Sequence, residues 1–411
     1  RGFVAFCGSI ITEKGDYVRS LVIYNVSIFD GQQLLDGVYD IYIEGNTINE
    51  VSINCGKHSF KADHAIDGTG KTALPGLIDL HVHLTWNGGA DPAEDIRHEN
   101  SEEHLLTTVS SALKYLHAGI TSVRDLGSPN DAALAVNQAI LSGKFEGPRI
   151  FASGQSIIMT GGHDPFHGIM ADGPWEVLKA VRAQVAKGAS VIKISATGGV
   201  YGRIEGEGVD DVELRQEEVD MIVDESHRRN VKVTAHAIGE SGIRGCLQAG
   251  IDCIEHGHCI TEDMAAEMKR KNIALVPTFY IYQHLSSNPN VPAYARKKAS
   301  EIIERHRKAL KYCYAAGITI GAGSDAGSPY SPHPSLIQEL YALAEGSMDN
   351  ADVIKAATGN AAVILGAENN LGFTRSGYLA DLILTEENPI ENLSTLEKPS
   401  LVIKNGKIVW R

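Results

Sequence analysis

Between about residues 75 and 369, short apolar strands alternate with amphipathic helical segments, and both chain ends are rich in strand and turn signals. Together these patterns predict an α/β protein: a (β/α)8 TIM barrel over residues 75–369, with a small β-sandwich domain built from residues 18–74 and 370–411. A chain of 411 residues has room for both, and an apolar share of 43% is ordinary for a globular protein.

The elements follow in order. Leu21–Phe29 is β-rich and stops at Asp30-Gly31, and Val38–Glu44 alternates and stops at Gly45-Asn46. Such turn residues separate half-buried strands. The far end reads alike, with Ala380–Leu384 and then Leu401–Trp410 folded about Asn405-Gly406, so the two ends are expected to pair. Between them, strands are expected at Leu77–Leu80, Thr121–Val123, Arg149–Ala152 and Val191–Ile194. Four more are expected at Val231–Ala235, Cys253–Glu255, Ala274–Pro277 and Thr319–Ala322. Gln216–Arg229 sets Val219, Ile222 and Val223 on one helical stripe, while Gly119, Gly188 and Gly317 stand as helix stops before strands. Eight such units close a barrel, whose active site lies at the C-terminal strand ends.

Composition excludes several classes. The net charge is −14 and no Lys/Arg cluster stands out, so no nucleic-acid partner is expected. No apolar run approaches the ~20 residues of a membrane span, and Arg1–Thr12, though mildly apolar, lacks the full core and cleavage site of a signal peptide. Six cysteines are scattered without a framework pattern and read as reduced core residues, which points to a cytoplasmic setting. Cys253 and Cys259 flank His256, but better metal ligands than these thiols are on offer.

The first barrel strand ends in His81 and His83. Strand side chains alternate, so both imidazoles point the same way and can grip one ion. Alone, the pair reads equally as two satisfied polar residues. Further strand ends add Lys193, His236, His256 and Asp325, the last within Gly323–Gly327. Lys193 lies between Ile192 and Ile194 and must leave water, which is expensive for an unpaired ammonium. It reads as an internal ion pair, as a catalytic amine, or as an amine carboxylated by CO2 to a carbamate that bridges two metals. Asp325 would also suit a turn beside Gly323, Ala326 and Gly327, but its place at the eighth strand favours a metal.

Taken in order, Pro75–His83, Lys193 in Val-Ile-Lys-Ile, His236 in Thr-Ala-His-Ala, His256 in Ile-Glu-His-Gly and Asp325 in Gly-Ser-Asp-Ala-Gly resemble the amidohydrolase superfamily. The resemblance covers nearly the whole chain. It implies two divalent metal ions, zinc first, with His81, His83 and Asp325 around the more buried one. His236 and His256 would hold the more exposed ion, and carboxylated Lys193 would bridge the two. The implied reaction is hydrolysis of an amide bond by a metal-bridging hydroxide, with Asp325 as general base and then acid.

Thr160–His163 and Thr197–Tyr201 are similar to a prolidase-like branch of dipeptidases and metal-dependent carboxypeptidases. That branch includes Xaa-Pro dipeptidases and enzymes hydrolysing N-acyl amino acids such as ochratoxin. There a histidine and a tyrosine contact the substrate's carbonyl or terminal carboxylate, so His163 and Tyr201 are expected to bind substrate. Arg203, planar and permanently charged, is a natural carboxylate clamp beside them, and reads equally as a solvated loop arginine. His167, His258, Tyr280 and His333 lie near predicted strand ends and are further pocket candidates, while His306 and the remaining histidines carry no expected role. The expected partner is a small molecule, a dipeptide or an N-acyl amino acid. Assembly as a homo-oligomer accompanies the resemblance, with no feature that fixes its number. Two rivals are a one-metal deaminase or ring-opening hydrolase, which has no use for Lys193, and a non-catalytic relative, which typically loses ligands present here.

Overall fold

The computed structural model describes residues 20–54, 60–201 and 207–410, together with the backbone of residues 10–11 and 17–18. It divides into two compact units, one of residues 1–78, 116–121 and 349–411 and one of residues 79–115 and 122–348. The first unit begins with β1 (Ser20–Ile28), β2 (Tyr39–Glu44), β3 (Thr47–Ile53), β4 (His64–Asp67) and β5 (Thr72–Pro75).

The barrel strands and helices then alternate. They run β6 (Leu77–Val82), α1 (Pro92–His98), α2 (Ser101–His117), β7 (Ile120–Asp125), α3 (Ala132–Leu141) and β8 (Arg149–Ala152). Next come β9 (Ser156–Ile158), β10 (Gly168–Met170), α4 (Pro174–Lys187), β11 (Val191–Ser195), α5 (Gln216–Arg228) and β12 (Lys232–Ala237). The series ends with α6 (Glu240–Ala249), β13 (Cys253–His256), α7 (Glu262–Lys271), β14 (Ala274–Val276), α8 (Phe279–Ser287), α9 (Ala293–Ala315) and α10 (Leu336–Glu345). The parallel order is β8-β7-β6 and β10-β9-β11-β12-β13-β14. Strands β6 and β7 are buried along their whole length, as expected where both faces of a parallel sheet are covered. Helix α5 buries Val219, Ile222 and Val223, and Gly188 caps α4 at φ 98°.

Two strands depart from expectation. The third is broken in two: β8 pairs with β7, while β9 meets β11 through Ile157 and Ile194. The break falls at Gly154, where φ is +70° and a Cβ would sit 2.2 Å from Gln184 Oε1. The eighth, Thr319–Ala322, forms isolated parallel bridges rather than a continuous ladder, pairing Ile320 with Leu275 and, further on, Ala326 with Val82. Hydrogen bonds Leu275 N to Thr319 O (3.1 Å) and Leu80 N to Ala322 O (2.9 Å) close the ring there. Gly323 and the left-handed Asp325, φ 54°, prevent a regular strand from continuing.

The chain then returns to the first unit through α11 (Asn350–Ala356), α12 (Gly359–Leu365), β15 (Leu382–Thr385), β16 (Leu401–Lys404) and β17 (Lys407–Trp410). The two ends pair as expected, with β15 antiparallel to β5 so that Ile383 faces Leu74. The sandwich is one mixed sheet in the order β17-β16-β15-β5-β1-β2-β3, with β4 beside β1. Its two halves share a core that includes Ile23, Ile41, Ile48, Leu382, Leu401 and Ile403. The β16–β17 hairpin turns through Asn405 (φ 50°) and Gly406 (φ 74°), the paired positive angles of a type I′ turn. Cys246, Cys253, Cys259 and Cys313 are free thiols, whereas Cys7 and Cys55 lie outside the described residues. No described helix is long and apolar enough to cross a membrane.

Candidate active site

Within the second unit, the strand ends converge on one cavity. His81, His83, Lys193, His236, His256 and Asp325 all line it, joined by His163 and Tyr201. Arg203 lies outside the described residues.

Asp325 Oδ1 stands 3.7 Å from His81 Nε2 and 3.5 Å from His83 Nε2. These gaps are too long for hydrogen bonds, yet the three donors fall within 4.8 Å of one another, a spacing that one cation spans. The second nitrogen of each ring is already engaged. His81 Nδ1 meets Glu255 Oε2 at 2.8 Å, His83 Nδ1 meets Gly127 O at 3.3 Å and His256 Nδ1 meets Thr278 Oγ1 at 2.7 Å. Nε2 is therefore left for a ligand in all three rings. His236 is reversed, because its Nε2 meets Gly198 O at 3.2 Å and leaves Nδ1. Burial first, and neighbouring cations second, hold His83, His236 and His256 well below the usual histidine pKa. Neutral rings are the form that binds a metal.

Lys193 is 5% exposed and makes no hydrogen bond or ion pair with the described residues. Burial lowers its pKa. His81, His83 and Asp325 thus form a candidate metal group that suits a divalent ion, and His236, His256 and Lys193 line the same cavity. The backbone supports it. Asp325 N donates to His81 O at 2.8 Å, and the Asp79 carboxylate accepts from Ser324 N (2.9 Å) and Ser324 Oγ (2.6 Å). At Gly323, a Cβ would lie 2.7 Å from His81 Cβ, so the eighth segment can pass only without a side chain there.

Several carboxylates were not anticipated from sequence. Glu255, fully buried, orients His81 and also accepts from Arg124 and from the Thr234 hydroxyl. Burial would raise its pKa, but Arg124 and then His81 outweigh it and push the carboxyl down to about 2. Its only signal is a glutamate inside a buried strand, directly before His256.

His163 lies between two more. Its Nδ1 meets Glu207 Oε1 at 2.6 Å and its Nε2 meets Asp164 Oδ2 at 2.9 Å. Burial opposes charging of the ring, but Asp164 and Glu207 overcome it and raise the pKa to about 10, so His163 is an imidazolium. Glu207 accepts in turn from Gly199 N at 2.7 Å, and Lys298 donates to Gly199 O at 3.1 Å. A Cβ at Gly199 would fall 2.0 Å from His163 Cε1, which is why the Gly198-Gly199 pair is needed. The Tyr201 hydroxyl donates to Asp91, the N-cap of α1, and accepts from Ala93 N at 3.3 Å.

The remaining candidates divide. His167 stacks on His83, with centroids 5.0 Å apart, and accepts from Trp86 Nε1. His333 meets the Tyr115 hydroxyl at 2.7 Å and the carbonyls of His83 and Trp86, a structural tie. His258 is buried against His306, with centroids 3.7 Å apart. Tyr280 does not line the cavity and Tyr282 does, because α8 begins at Phe279 and sets the helical spacing.

The family model for the amidohydrolase family matches residues 72–409. The chain belongs to that family. This amidohydrolase is 32% identical to the ochratoxinase of Aspergillus niger over 370 residues, covering 82% of this chain and 75% of that protein. The crystal structure of A. niger ochratoxinase matches with a TM-score of 0.86 and 28% identity, covering 96% of each chain. A Xaa-Pro dipeptidase with methionine bound in its active site matches with a TM-score of 0.87 and 31% identity, over 95% of this chain and 100% of that one. A prolidase complexed with N-methylphosphonate-L-proline matches at 0.86 and 28%, over 95% and 100% respectively. The amidohydrolase is therefore a metal-dependent enzyme with the barrel fold, related to prolidases and ochratoxinase.

Proposed function

We propose that this amidohydrolase is a binuclear hydrolase of dipeptides, C-terminal residues or N-acyl amino acids, with its chemistry in the barrel of residues 75–369. The observation that carries the reading is the meeting of six potential ligands on one cavity, among them a buried lysine that makes no hydrogen bond or ion pair with the described residues. His81, His83 and Asp325 would hold one ion, His236 Nδ1 and His256 Nε2 the other, and Lys193, carboxylated by CO2, would join both. Two divalent ions, zinc by the preference of imidazole donors, supply an activated water at neutral pH and a polarised carbonyl when bound.

The chain's own groups do the rest. Asp325 takes the proton of the attacking water on its carboxylate and delivers it to the leaving nitrogen. The His163 imidazolium donates to the substrate's carbonyl oxygen once Asp164 yields Nε2. Tyr201, with Arg203, receives the terminal carboxylate. Trp86, Ile281, Tyr282 and Leu285 wall the cavity. The relatives support this substrate class, since one is a Xaa-Pro dipeptidase holding methionine and another a prolidase holding an N-substituted proline.

The test is amino-acid release from a library of dipeptides and N-acyl amino acids, using zinc-loaded protein with bicarbonate. Release confined to compounds with a free C-terminal carboxylate supports the reading. No release across the library refutes it.

A further inference from the structure

We infer that Asp164 recognises the α-ammonium of the substrate's first residue, so that unblocked dipeptides are preferred over N-acyl amino acids. The inference rests on the amide-hydrolase reading above. It begins with a row of alternating charges. Lys298 Nζ lies 3.6 Å from Glu207 Oε2, Glu207 Oε1 lies 2.6 Å from His163 Nδ1, and His163 Nε2 lies 2.9 Å from Asp164 Oδ2. The row starts on α9 and ends in the cavity, and the end that a substrate meets is the anion.

Asp164 is not needed to orient His163. Glu207 already holds Nδ1, and it is itself fixed by Gly199 N. Asp164 offers one oxygen to Nε2, while its Oδ1 has no hydrogen-bond partner among the described residues. Burial raises its pKa, but the His163 imidazolium outweighs burial and keeps it well below the usual carboxylate range, so the charge is present. Its backbone is left-handed, φ 54°. The other cavity carboxylate, Asp325, is committed to the His81–His83 group.

The chemistry of the pair selects its ligand. His163 and Asp164 present a donor next to an acceptor. An α-aminoacyl group presents the complement, a carbonyl oxygen and an ammonium only three bonds apart. An N-acyl amino acid has the carbonyl but lacks the cation, and would leave Asp164 Oδ1 shut in the site with nothing to accept from.

The experiment compares Ala-Pro with propionyl-proline, which differ by the ammonium alone. Wild-type enzyme is expected to favour Ala-Pro, and Asp164→Asn to lower kcat/KM for Ala-Pro roughly 10- to 100-fold more than for propionyl-proline. Most of that loss is expected in KM, with bound metal per chain unchanged. Asp164→Glu, which keeps the charge, is expected to keep the preference. An equal loss on both substrates would assign Asp164 to positioning His163 and overturn the inference. So would wild-type enzyme that cleaves propionyl-proline at least as well as Ala-Pro. Wild-type enzyme also tests the idea without any variant: alaninamide should inhibit more strongly than propionamide, and equal inhibition overturns it. Failure to release an amino acid from any library member would remove the underlying reading, and the inference with it.

Discussion

Glu255→Gln isolates what a buried carboxylate contributes to a metal ligand. The site of Oε1 receives Arg124 and the Thr234 hydroxyl, while Oε2 faces His81 Nδ1 at 2.8 Å. A glutamine has one carbonyl oxygen, and two donors claim it at the Oε1 site. Its NH2 group must then face His81, which can accept there only by moving its proton to Nε2. That nitrogen is the one nearest Asp325, at 3.7 Å, and a protonated Nε2 cannot bind an ion. Loss of such an orienting carboxylate costs roughly 10- to 100-fold in metal affinity, or about 1.4–2.7 kcal/mol. Arg124 would also keep its charge in a buried site with no counter-ion, which costs about 3–5 kcal/mol of stability. Thr234→Val serves as the control. It removes a donor and keeps the carboxylate, so unfolding stability should fall by about 1 kcal/mol while metal affinity holds. Chelator competition on zinc-loaded protein measures the first quantity and urea unfolding the second. Glu255→Gln with wild-type affinity in the competition assay would refute the tautomer argument.

Gly199→Ala places a methyl group 2.0 Å from His163 Cε1, so the ring must move; kcat/KM should fall roughly 100-fold with metal content unchanged, read by amino-acid release and metal analysis. Glu225 is held by Arg182 (2.8 Å) and Arg229 (2.6 Å), which push its pKa from 4.5 down to about 2. Because the folded pKa is the lower one, its stabilisation is complete above about 4.5 and is lost as pH falls through about 2; the Tm deficit of Glu225→Gln should narrow over that window. Chelation should abolish hydrolysis. Reloading zinc without bicarbonate should restore less activity than reloading with it, and equal recovery would count against a carboxylated Lys193.

The barrel is legible in the sequence because each strand is a short apolar run and Gly119, Gly188 and Gly317 stop the helices before them. The eighth strand is harder to read. Its residues are extended and hydrogen-bonded, but Gly323 and Asp325 prevent a ladder, and composition alone does not register that. The six candidate ligands are readable because each lies in or just after a barrel strand segment. The groups that orient them are not, because they act across the fold: Glu255 lies 174 positions from His81, Glu207 lies 44 from His163 and Asp91 lies 110 from Tyr201. Carboxylates are plentiful on any acidic chain, and spacing does not reveal which ones turn inward. Tyr280 and Tyr282 illustrate a boundary effect, since the start of α8 at Phe279 decides which of them faces the cavity.

The seam between the first and eighth strands is held by isolated bridges and single hydrogen bonds on either side of Asp325. His81 and His83 stand on one lip of that seam and Asp325 on the other. Any ion gripped by these three is therefore a rivet through the joint as well as a reagent. Opening of the joint and release of the ion become one event, and the exchange of the Leu80, His83 and Asp325 amides with deuterated water reports the occupancy of a site that those amides never touch.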